Sequence, residues 1–148
     1  MSKKSVLKVP GNPVVNTGKG RAVRVSLPEW LIEAIDHRVK EEYGSRGRSR
    51  WVDEAVIQLI EYPSWTDMLS RQQPSADIQT RIKQFNLSQT GSDALDRAIL
   101  EARREDPYLE GVISEIVRTA VSQRIFRSPG GLDLVEEIQA RLSHQVQA

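Results

Sequence analysis

Between Gly20 and Pro28 the apolar side chains Val23, Val25 and Leu27 fall at every second position, with Ala22, Arg24 and Ser26 between them. Strand side chains alternate between faces, so this spacing predicts a short strand with one apolar and one polar face. At Pro28 the period changes. Leu31, Ile32, Ile35 and Val39 recur every third or fourth position up to Gly44, which predicts an amphipathic helix with Pro28 in its first turn and Glu29 at its positive end. A second helix follows "SRGR", with Ser49 set to cap its first amides, Val52, Val56, Leu59 and Ile60 on one face, and Tyr62 and Pro63 to end it. A lone strand leaves backbone groups open along both edges, and two short amphipathic helices cannot bury their stripes unaided. The unit therefore needs a partner.

The second half of the chain repeats the order. "RIKQFNL", ending at Leu87, reads as a strand, and "DALDRAILEA" reads as a helix through Ala94, Leu95, Ala98, Ile99 and Ala102. "SEIVRTAV" then aligns with "SRWVDEAV". Leu27 to Leu87 is 60 residues and Ser49 to Ser114 is 65, and the extra residues are assigned to the "SQTG" before Ser92. The alignment turns Ile82, Gln84 and Asn86 outward and Lys83, Phe85 and Leu87 inward. It buries a lysine and exposes an isoleucine, so either one of these placements is wrong or the strand carries a bulge. In "EDPYLEG", Asp106 and Pro107 offer an earlier start for the last helix of this copy, which would set Glu110 and Glu115 near its N-terminus.

Five segments result: a flexible arm over 1–19, a first unit over 20–62, a packed linker over 63–79, a second, degenerate unit over 80–127, and an amphipathic helix over 128–148. The linker holds Trp65, Met68 and Leu69 between Pro63 and Pro74; the last helix carries Leu134, Val135, Ile138, Leu142 and Val146. That stripe packs on the core or docks a partner protein or second copy through 132–146. The expected fold is mainly α with a short two-stranded antiparallel ribbon, formed within one chain.

Composition narrows the chemistry. With 39% hydrophobic and 5% aromatic residues in 148, a modest helical core is expected. There is no cysteine and only two histidines, His37 and His144, so no metal centre or cofactor is expected. No apolar run approaches the roughly 20 residues that span a bilayer, and the start lacks a signal-peptide stretch, so a cytoplasmic protein is expected. Glu41–Glu42 and Glu136–Glu137 diverge on a helix, and "GKGR" precedes a strand rather than following one, so no enzyme and no small-molecule substrate is expected. The net charge of +1 conceals two basic clusters: six basic residues and no acidic one precede Glu29, including Lys19, Arg21 and Arg24, and Arg46, Arg48 and Arg50 crowd one glycine-containing turn. Both favour a polyanion.

The alternating strand ending in Leu-Pro, "RVSLPEWL", the turn "GRSR" and the helix opening "WVDEAV" together resemble the ribbon-helix-helix superfamily of DNA-binding repressors over Arg21 to about Tyr62. The resemblance implies that two units interlock, that their strands form a ribbon entering the DNA major groove, that Ala22, Arg24 and Ser26 face bases, and that the helix start around Ser49 and Arg50 meets a phosphate. Carried to the second copy, Gln84 and Asn86 join the base-facing set and Ser114 the phosphate-facing set. Two units on one chain resemble the layout of TraY-type accessory proteins of conjugative relaxosomes. A two-stranded ribbon fits the roughly 12 Å major groove, where arginine bonds guanine and carboxamides bond adenine. Two functions follow as expectations. The first is sequence-specific double-stranded DNA binding, as a transcriptional repressor or a plasmid or mobile-element relaxosome accessory protein associated with nucleoid or plasmid; the second is an antitoxin or adaptor whose last helix holds a protein partner.

Overall fold

The computed structural model describes residues 20–72 and 79–147. A strand β1 (Arg21–Pro28) leads into helices α1 (Glu29–Tyr43) and α2 (Arg48–Leu59). A 3₁₀ segment (Trp65–Gln72) follows, and then strand β2 (Thr80–Leu87) leads into helices α3 (Gln89–Glu105) and α4 (Val112–Arg127). Helix α5 (Gly131–Gln147) is the last described element. The molecule is mainly helical, with a single two-stranded antiparallel sheet among the described residues.

The two strands pair with each other in an unbroken register, Arg21 opposite Leu87 through Pro28 opposite Thr80. Val23, Val25, Leu27, Phe85 and Leu87 turn inward and are buried, as alternation requires. β2 carries no bulge. Phe85 and Leu87 fix its phase, which leaves Ile82 63% exposed and turns the half-buried Lys83 to the inner face opposite Val25.

The helices cross between the halves. α2, which follows β1 in sequence, packs on β2 and α4, while α4, which follows β2, packs on β1. One core results: Leu31 and Ile35 of α1, Val52, Val56 and Leu59 of α2, Leu95 and Ala98 of α3, and Ile116, Val117 and Val121 of α4 are all essentially inaccessible. Neither half closes a core without the other, because each strand's covering helix comes from the opposite half. The periodicity of α1, α2 and α3 identified their buried faces, with Ile32, Ile60 and Ile99 at the margins.

α4 departs from the symmetry. It is covered by α2 and β1, and also by α1, α3, α5 and the 3₁₀ segment. Small and polar positions, Thr119, Ala120 and Ser122, are buried on it alongside the aliphatic ones. The linker contributes to this cover: Trp65 and Leu69 are buried, and Trp65 Nε1 donates to Glu101 at 2.8 Å. α5 spends its apolar stripe in the same way, with Leu134, Val135 and Ile138 buried and the helix against α1 and α4. The arm over 1–19 and Pro74 lie outside what the structure describes, as does the side chain of Val146 in the α5 stripe.

The surplus length of the second half is not at the strand–helix junction. α3 starts at Gln89, immediately after Ser88, just as α1 starts at Glu29 immediately after Pro28. The extra residues lengthen α3 to 17 against 15 for α1, lengthen the following turn, and move Ser114 to the third position of α4 where Ser49 is the second of α2. The earlier start at Asp106 is also not used. Asp106 ends α3, and its carboxylate accepts from the Tyr108 amide at 3.1 Å, holding a turn.

Candidate nucleic-acid interface

The polar face of the ribbon points away from the helices. Ala22, Arg24, Gln84 and Asn86 are exposed on it and Ser26 is half-buried, so the five side chains expected to face bases share one surface. Arg24 and Gln84 lie directly opposite each other. Among the described residues the side chains of Arg24, Gln84 and Asn86 make no hydrogen bond or ion pair.

A helix start flanks each end of the ribbon, tied to it by a serine. Ser49 Oγ accepts from the Asn86 amide at 2.9 Å, and Ser114 Oγ accepts from the Ser26 amide at 3.1 Å. Ser26 and Asn86 are 60 residues apart, as are Leu27 and Leu87, so the same contact is made twice across the ribbon's local twofold. Ser49 is thus not the helix cap that local sequence suggests. Gly47 holds the cap position of α2 without a side-chain bond, and Ser49 satisfies a strand amide that faces away from the other strand.

The phosphate-facing set is less free. Arg48 pairs with Asp36 at 2.6 Å, and Arg21 pairs with Asp96 at 2.8 Å. Arg50 stacks on Tyr43 with its guanidinium 4.3 Å from the ring centre and reaches Glu54 at 3.2 Å. Arg46 is exposed with no ion pair among the described residues, and Lys19 lies outside them. Partial burial raises the Glu54 carboxyl, but hydrogen bonds from Tyr43 and Arg50, together with the charge and hydrogen bond of Arg124, outweigh it and hold Glu54 below its ordinary 4.5. Arg50, Arg46, Gly47 and Ser49 line an open depression beside the turn, and Arg50 also borders a second one at the ribbon's end with Ala22 and Asn86.

The two helix starts differ in charge, though not through Glu115. That carboxylate lies in the first turn of α4, as expected, but it is turned away from any phosphate: it is 3% exposed and bound by Arg118 at 2.7 Å, whose other nitrogen donates to the Ser26 carbonyl at 2.8 Å. Glu110 remains exposed. At the position matching Arg118 the first half has Asp53, which accepts from Ser88 N at 3.0 Å and Ser88 Oγ at 2.8 Å. The exchange has a local cause: Ser88 corresponds to Pro28, which has no N–H for an aspartate to accept. Asp53 and Arg118 were not found from sequence, and their signal was a charge set among apolar helix positions.

Among the described residues no helix is long and apolar enough to cross a membrane, and no group of acidic, histidine or cysteine side chains is arranged to hold a metal ion. Comparison with protein-family models, with curated proteins and with solved structures returned no match to this chain.

Proposed function

We propose that the protein binds double-stranded DNA sequence-specifically, with the β1–β2 ribbon in the major groove, as two ribbon-helix-helix units on one chain. The observation that carries this reading is the outward ribbon face, where Arg24, Gln84 and Asn86 stand exposed, without partners among the described residues, opposite the buried inner face of Val23, Val25 and Phe85. A guanidinium and two carboxamides are the side chains whose donors match guanine and adenine edges. On each flank a serine accepts a strand amide, which leaves its own hydroxyl hydrogen for a phosphate oxygen at the positive end of a helix. Arg46 and Arg50 add charge on the α2 side. Phosphate contacts of this kind fix register, and the ribbon reads sequence.

The biological setting that fits is repression of transcription or an accessory role at a transfer origin. The adaptor reading draws less support, because the apolar stripe of α5 is occupied by α1 and α4.

The test is duplex binding by the whole chain as a function of salt. If Arg46, Arg48 and Arg50 each displace one counterion at about 0.9 per phosphate, log Kd should change with log salt at a slope of roughly three. One native fragment should also outcompete random duplex. Binding that is flat in salt, or equal on every sequence, overturns the proposal.

A further inference from the structure

The outward face of the ribbon consists of three cross-strand pairs: Ala22 with Asn86, Arg24 with Gln84, and Ser26 with Ile82. The 60-residue offset between the strands places a local twofold through the Arg24–Gln84 pair, making Ala22 equivalent to Ile82 and Ser26 equivalent to Asn86. The ends therefore differ in chemistry. One offers a methyl group beside a carboxamide, the other a branched four-carbon side chain beside a hydroxyl.

Among the described residues Ile82 is an exposed large hydrophobic side chain. It is 63% exposed on a face otherwise polar or small, while its neighbour Lys83 is turned inward, so exchanging the two would suit the folded protein better on both counts. The phase that exposes it is fixed by Phe85 and Leu87. A β-branched side chain is also restricted at its first rotatable bond, a fitting property for a group that reads shape. In the major groove the apolar feature that distinguishes one base is the 5-methyl of thymine.

Resting on the ribbon as the DNA-reading element, we infer that Ile82 contacts a thymine 5-methyl group and that the recognised duplex lacks twofold symmetry. The thymine lies under the Ser26–Ile82 end, and the Ala22–Asn86 end takes an adenine through the Asn86 carboxamide.

Selection of the full chain against a random-sequence duplex library tests this. The enriched consensus should differ from its own reverse complement and contain a thymine whose replacement by deoxyuridine, which removes only the methyl group, weakens binding about fourfold. Ile82→Ala should bind the thymine duplex about that much more weakly and respond no further to deoxyuridine. Its side chain is exposed, so folding should be unchanged, checked by circular dichroism. A self-complementary consensus, no thymine sensitive to methyl removal, or full sensitivity retained in Ile82→Ala each overturns the inference while leaving DNA binding intact. No enrichment from the library overturns both.

Discussion

Replacing Gly91 with alanine in the first turn of a helix would ordinarily add up to about 1 kcal/mol of stability. Here it should do the reverse. The Asp53 carboxylate reaches across from α2 to take both the amide and the hydroxyl of Ser88, and Ser88 Oγ in turn accepts the Gly91 amide at 3.0 Å as the cap of α3. A methyl group on Gly91 would overlap Asp53 Oδ1. The short aspartate can clear it only by giving up one or both bonds to Ser88, each worth about 1.5–3 kcal/mol to an ionised acceptor. Set against the helix gain, Gly91→Ala should cost about 1–4 kcal/mol, read as a lower midpoint in urea at unchanged slope. In an Asp53→Ala background the obstruction is gone, and the same substitution should stabilise by about 0.5–1 kcal/mol. Asp53→Ala alone should cost about 2–4 kcal/mol, since it leaves the Ser88 amide without its acceptor. If Gly91→Ala has the same sign and size in both backgrounds, the carboxylate does not occupy that space and the coupling of α2 to the β2–α3 junction is refuted.

Three further outcomes are expected. Arg24→Ala should lose about 1–3 kcal/mol on the preferred duplex and much less on random DNA; an equal loss on both would make Arg24 a source of charge rather than of sequence reading. Arg50→Ala should weaken every duplex alike and lower the salt slope by about 0.9, and an unchanged slope would remove Arg50 from the phosphate contacts. Because Glu54 titrates lower in the folded chain than its ordinary 4.5, its ion pairs stabilise above that value and are lost as pH falls through the folded value. Glu54→Gln should therefore lose stability at neutral pH and show a shallower decline below about pH 4.5 than the parent, as measured by denaturant unfolding at each pH; parallel declines would sink this assignment.

The local pattern of the sequence determined which face of each element is apolar. Val23, Val25 and Leu27 against Arg24 and Ser26, and the stripes of α1, α2 and α3, followed from the two periodicities, because side-chain direction along a strand or helix is fixed by backbone geometry. The internal copy, offset by 60 residues at Leu87, pointed to the strand that would pair with β1. Tertiary structure decided what each polar group bonds to. Ser49 had every local feature of a cap, yet its oxygen serves Asn86, 37 residues away. Glu115 was expected near the start of the last helix of the second copy, and only the approach of β1, with the Ser26 carbonyl accepting from Arg118, buried it against that arginine. Ile82 and Lys83 stayed undecided in sequence because the phase that turns Phe85 and Leu87 inward also buries a lysine and exposes an isoleucine, and the packing of Phe85 and Leu87 under α2 settled it. The physical reason is one of range: periodicity reports the direction of a side chain from its own backbone, whereas a hydrogen-bond partner is chosen by distances of a few ångströms between segments that the chain itself keeps far apart.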